Sequence, residues 1–185
     1  MRRSVIVFLI SVMLVIIPKV MPSMAEEGNK FSSVDIDQIL QHRKKTIDNL
    51  EAAFAGAGDI ESKVKIMYTL GELRAAPAVK LLIDNIMLGR VEVELRISEY
   101  GSDPAAAALA KIGIPSVRPI LTKLKENINE ISRAIFANVL MDIYGVPIAQ
   151  FVLNQEIKAT KGTIEKDRLN QTLAIVVSQL KLSTP

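Results

Sequence analysis

Side chains able to do chemistry are few in this 185-residue chain, and their spacing narrows the choice further. Cysteine is absent and histidine occurs once, at His42. That excludes a disulfide framework, a thiolate zinc site, a catalytic thiol and a lipobox anchor, and it leaves too few imidazoles for the usual metal or acid/base centres. The closest carboxylate pairs are Asp35 with Asp37 and Glu92 with Glu94. The first pair falls at a helix start, where acids favour the dipole, and the second lies on one face of an extended stretch. A hard cation needs several more oxygens than either supplies. No phosphate loop, nucleophile elbow, His-Glu-x-x-His pair or calcium-loop spacing occurs. Asn170-Gln171-Thr172 fits a glycosylation sequon but falls inside a predicted helix. The basic cluster His42-Arg43-Lys44-Lys45 reads as a solvated surface, because Asp37, Asp48 and Glu51 neutralise it locally and no aromatic residue interleaves to stack on bases. Neither an enzyme nor a cofactor, a metal or nucleic acid is expected.

What remains is a pattern. Three residues after each of Pro77, Pro115 and Pro147 come Lys80, Arg118 and Gln150, and seven after come Asp84, Thr122 and Asn154. Positions four apart on a helix share a face, so each pair forms a rung and the three rungs form two polar rows. These six residues are the candidate partner-binding set. An ordinary solvated helix face has the same composition, and that bland reading competes with it.

The elements that carry the rows come from a repeated helix-turn-helix pattern. Leu70 to Leu73, then Pro77 and Val79, lead into Leu82, Ile83 and Ile86. Leu109 to Ile112, Gly113, Pro115 and Val117 lead into Ile120, Leu121 and Leu124; Leu140 to Ile143, Gly145, Pro147 and Ala149 lead into Val152 and Leu153. Two apolar residues three apart close the buried stripe of a first helix, a small residue turns the chain, and proline opens the second helix. Apolar residues two, five and six positions after the proline form the second helix's buried stripe. Neither short helix buries its apolar face alone, so neighbouring pairs must stack. The expected fold is all-α, a short right-handed α-solenoid of stacked hairpins, with eight helices over 34–55, 60–73, 77–88, 104–112, 115–127, 130–144, 147–159 and 163–182.

Around this core the spacing adds three features. Ile36, Ile39, Leu40, Ile47, Leu50 and Phe54 make one stripe on the first helix. The proline-to-proline distances of 38 and 32 residues differ because of an extended insertion at 89–103, where Val91, Val93, Leu95 and Ile97 alternate with polar residues. It packs as a spacer or offers an edge to a partner. Leu169, Leu173, Val176, Val177 and Leu180 line a terminal helix expected to cover the open end of the stack.

The net charge of +3 and pI of about 9.1 say little about partners. Arg2, Arg3 and Lys19 account for the whole excess, in a segment free of acid. Arg2-Arg3, an apolar run from Val5 to Ile17 and Ser23-Met24-Ala25 have the three parts of a secretory signal over 1–25, with cleavage between Ala25 and Glu26. An uncleaved anchor is the alternative, but spanning takes ~20 apolar residues and Lys19 with two prolines interrupts the run first. The expectation is a flexible N-terminus over 26–33, a domain over 34–185, export to a bacterial periplasm or medium, and no membrane insertion after cleavage. A neutral mature chain has no general attraction for nucleic acid or anionic lipid.

Leu70-Gly71-Glu72-Leu73 running into Pro77-Ala78-Val79, and Leu109 to Gly113 running into Pro115-Ser116-Val117, resemble HEAT repeats, particularly the short HEAT-like type first described in phycobilisome lyases. Lys63 and Arg133, each seven residues before the opening leucine, resemble the basic residue found early in such repeats; Ser102 stands at the equivalent place in the middle copy. The likeness covers about residues 59 to 159, and the third copy departs from it at Gln155 and Glu156. It implies that the second helices line a concave surface, which would set Lys80, Asp84, Arg118, Thr122, Gln150 and Asn154 along one groove. No residue matches a bilin-handling motif, and His42 followed by Arg43 lacks the His-Glu pairs of iron-holding relatives. The functional expectation is a non-enzymatic interaction or scaffold module of the cell envelope that binds another protein. The alternative is a small-molecule carrier or lyase-like protein with a pocket between repeats.

Overall fold

A computed structural model describes residues 33–89 and 103–182. The expected signal segment 1–25, its Ala25/Glu26 junction, the N-terminal residues 26–32, the stretch 90–102 of the expected insertion, and Ser102 lie outside the described residues. The described chain is all-α, with no strand among the described residues. Its helices are α1 (Ser33–Gly56), α2 (Ile60–Glu72), a 3-10 turn (Ala76–Ala78), α3 (Val79–Asp84), α4 (Pro104–Ile112), α5 (Ile114–Leu124), α6 (Glu130–Tyr144), α7 (Val146–Ala159) and α8 (Thr163–Leu182). The chain divides into two units between Arg43 and Lys44. Of the first unit, residues 33–43 are described, and they form the start of α1.

Local chemistry sets most boundaries. Asp59 and Asn129 cap α2 and α6 by accepting from the Ser62 and Ser132 amides at 2.7 Å, which satisfies helix-start donors that otherwise lack partners. Gly113 and Gly145 each form the entire link between two helices, α4 to α5 and α6 to α7. They hold φ of 79° and 75° with ψ of −135° and 158°, a region nearly closed to residues with a Cβ. The helix direction bends by 118° from α6 to α7 there. Pro115 and Pro147 follow as the second residue of their helices, where a missing N–H costs nothing.

The first hairpin turns differently. Its break has no glycine, and Arg74 takes the left-handed conformation at φ 47°. The Ala75 amide donates to Leu70 O at 3.0 Å and the Arg74 amide to Gly71 O at 2.9 Å, closing α2 in a Schellman arrangement. Pro77 then sits in the 3-10 turn.

Two helices are shorter than their sequence pattern predicts. The one expected over 77–88 ends at Asp84, because the Asn85 side chain donates to Leu81 O at 2.8 Å and the main chain tightens into turns ending at Gly89. The one expected over 115–127 ends at Leu124, where the Lys125 and Glu126 amides reach back only three residues.

The core of the second unit is built from the repeated stripes. Val79, Leu82 and Ile83 on α3, Val117, Ile120 and Leu121 on α5, and Ala149 and Leu153 on α7 are buried, with Val152 half-buried. From the first helices come Met67 and Leu70, Ala108 and Leu109, and Phe136 and Leu140, all at zero exposure. Helix α2 packs on α4, α4 on α6, and α6 on α8; α3 packs on α4 and α5, α5 on α6, and α7 on α6 and α8. Leu169 and Val176 of α8 are fully buried in this core.

The stripe expected on α1 is buried over half its length. Ile47 and Phe54 are buried, whereas Ile36, Ile39 and Leu40 are exposed.

Candidate partner-binding surface

The six candidate residues lie on α3, α5 and α7. On α3, Lys80 Nζ meets Asp84 Oδ2 at 2.5 Å, and the hydrogen bond and charge of Asp84 hold the Lys80 ammonium above its ordinary range. On α5, Thr122 Oγ1 donates to Arg118 O at 3.0 Å. Arg118 reaches across to α7, donating from Nη1 to Glu156 Oε2 at 2.7 Å. On α7, Gln150 and Asn154 are half-buried. The side chains of the first rung are thus joined, whereas in the second Thr122 bonds only the Arg118 main chain and the inter-helix link goes past Asn154 to Glu156.

Glu156 is the group the polar rows did not include. It continues the Ala149–Leu153 spacing, so it falls on the buried stripe of α7. An acid at such a position is the signal, since a buried carboxylate needs partners. Both partners come from the preceding hairpin: Arg118 on α5, and Lys125 just past the end of that helix, whose Nζ donates to Glu156 Oε1. Burial pushes the Glu156 carboxyl up, but the hydrogen bond and charge of Lys125, with Arg118, outweigh it and hold the group below its usual range.

The sign of the pH effect follows from that direction. The folded state prefers the carboxylate, so the stabilisation is complete above the ordinary glutamate value of 4.5 and disappears as pH falls through the lowered folded value. Glu156→Gln is expected to cost about 1–2 kcal/mol at pH 7, less than a fully buried pair would because Arg118 and Lys125 can rehydrate. Urea titrations of both proteins should show this gap at pH 7 and its closure below pH 4.5. A gap unchanged at low pH would assign the cost to shape instead of charge.

The spacing also repeats an apolar position, four residues after each proline: Leu81, Pro119 and Phe151. Leu81 is half-buried and Pro119 exposed, while Phe151 is 60% exposed and Ile148, one turn before it, 52%. Pro119 lies inside α5 and offers no N–H to the carbonyl four residues earlier, so Pro115 O lacks its helical donor. Exposed aromatic area flanked by amides and paired charges is what protein-recognition surfaces present.

A second feature is a cleft of about 470 Å³ between α3, α5 and α6. Ile83, Ile86, Ile128 and Phe136 supply its apolar walls, with Lys123 and Ser132 among its polar groups. Elsewhere, His42 sits on exposed α1 with Nδ1 2.8 Å from Gln38 O. Thr172 of the sequon is fully buried within continuous α8. Among the described residues no three His, Asp or Glu side chains converge on a metal-sized site, and no single helix is long and apolar enough to cross a membrane. No family model, curated protein or solved structure matches the chain.

Proposed function

We propose that this protein is a non-enzymatic interaction module, a right-handed HEAT-like α-solenoid that binds another protein along its second helices. The solenoid reading is supported by helices that pack in chain order, α2 on α4 on α6 and α3 on α5, and by the resemblance of the proline-centred hairpins to HEAT-like repeats. The observation that carries the binding reading is Phe151, 60% exposed at the apolar position repeated as Leu81, Pro119 and Phe151, between hydrogen-bonding side chains on either side. Such a preformed surface loses little entropy on docking. The partner contributes an apolar anchor for Phe151 and charges for Lys80 and Arg118. Export to a bacterial envelope rests on the residue pattern of 1–25, and the mass of the native N-terminus tests it.

Phe151→Asp combined with Lys80→Glu changes two exposed positions, so the circular dichroism spectrum should be retained. Proteins captured from envelope extract by the native chain should be lost with this variant by at least tenfold, since removal of a central aromatic anchor costs about 2 kcal/mol or more. An unchanged captured set would refute the surface.

The cleft favours a second reading, a small-molecule carrier. It has the apolar walls and few polar groups of ligand pockets. Small molecules co-purifying with the chain, and lost on Ser132→Leu but not on the Phe151 variant, would select that reading.

A further inference from the structure

The exposed half of α1 has a feature that the second-helix surface does not account for. Its apolar stripe continues, with the same spacing, the one that is buried at Ile47 and Phe54, yet Ile36, Ile39 and Leu40 are 49%, 57% and 54% exposed. Three large aliphatic side chains within two turns of one helix form a seam that no other described residue covers, not scattered surface residues.

The charges along this seam point to its occupant. Asp37 and Lys44 are exposed, seven residues apart, and on the same edge of the stripe. In an antiparallel helix pair related by a two-fold axis, each edge of one helix faces the same edge of the other. A crossing point midway between Leu40 and Gln41 sets Asp37 of each helix opposite Lys44 of its mate. It also stacks Leu40 on its own symmetry copy and lays each Ile36 near the aliphatic stem of the other chain's Arg43. In a parallel pair the edge that carries Asp37 and Lys44 would face the opposite edge of its mate, where Ile39 and Thr46 stand, so neither charge would meet an opposite charge there.

We propose that α1 is a self-association element, pairing antiparallel with α1 of a second copy through Ile36, Ile39 and Leu40 and two Asp37–Lys44 ion pairs. The interface is small, so the dimer is reversible and concentration-dependent, and its exposed ion pairs make it weaker at high salt.

Sedimentation velocity of the full chain over a concentration series tests this. The native protein should move from one-chain to two-chain mass, and Leu40→Glu should remain at one-chain mass with an unchanged circular dichroism spectrum. Asp37→Lys and Lys44→Asp should each fail to self-associate, since each sets like charges opposite each other. Mixed in equal amounts, the two should form a heterodimer, because one chain then carries a lysine at both positions, the other an aspartate at both, and opposite charges face each other again. A native chain that stays single at every concentration would overturn the proposal, leaving residues 1–32 or an unlike partner to cover the seam. So would a Leu40→Glu variant that still dimerises, or a mixture that does not.

Discussion

Arg133→Ala is expected to lower the stability of this protein by about 3 kcal/mol, the combined loss of charge-assisted hydrogen bonds and buried volume. Arg133 is only 4% exposed, and it faces carbonyls instead of a carboxylate. Its Nη1 donates to Leu124 O at 3.2 Å, to Arg168 O at 2.8 Å and to Thr172 Oγ1 at 3.4 Å. The Arg168 Nη1 in turn donates to Lys125 O at 2.7 Å. Two guanidinium groups, from α6 and α8, therefore satisfy the last carbonyls of α5, the acceptors that a helix end leaves without amides. Burial, and secondarily the charge of Arg168, draw the Arg133 pKa down, with Glu130 partly opposing. The group nonetheless stays charged in any accessible pH range.

Removing the side chain leaves Leu124 O without this donor and opens a space where α5, α6 and α8 meet. Arg133→Met separates these effects, since it keeps much of the packing and discards the charge. Urea midpoints should rank native above Met above Ala, with a melting decrease of about 6–12 °C for Ala at roughly 2–4 °C per kcal/mol. Native-state hydrogen exchange should quicken first at residues 125–128. A Met variant more stable than the native chain would mean that desolvating the guanidinium outweighs its hydrogen bonds.

What the chain order reveals and what it conceals divide along the range of the interactions. The positions two, five and six after each proline are buried as their spacing predicts, Val152 only half so, because helix initiation at proline and the helical period are local matters. The glycine breaks at Gly113 and Gly145 are equally local. The early ends of α3 and α5 are not, since they depend on whether the chain or a distant side chain takes the terminal carbonyls. Glu156 finds its partners 38 and 31 residues away, and Arg133 reaches acceptors 35 and 39 residues away. Spacing alone does not say which helices will lie side by side. The polar rows are similarly half-legible: the pattern places Lys80 with Asp84 on one turn, but nothing in it shows that Arg118 would bind Glu156.

Gly71→Val is expected to be the other severe substitution, costing about 3 kcal/mol or more through overpacking at the closest approach of α2 and α4. A Cβ on Gly71 would lie 2.7 Å from Ala108 Cα and 3.1 Å from Ala108 Cβ. The first of these is a main-chain atom, so no side-chain rotation relieves the clash and one helix must move. Movement is costly because both helices are anchored: Leu70 on one side and Ala108 with Leu109 on the other are fully buried. Glu72 and Lys111 form an ion pair across the same seam, but both are exposed, and such a pair contributes too little to offset a shift of the backbone. Gly71→Ala sharpens the test. It gains about 1 kcal/mol of helix propensity over glycine, so its net cost of about 1–2 kcal/mol understates the steric penalty. Adding Ala108→Gly removes the 3.1 Å conflict and leaves the 2.7 Å one, so the double variant should recover only part of the loss after the propensity cost of the second glycine is counted. Denaturation of the four proteins in this cycle measures the coupling. If Gly71→Ala matches or exceeds the native stability, the two helices separate freely and the close approach is not what fixes the first hairpin against the next.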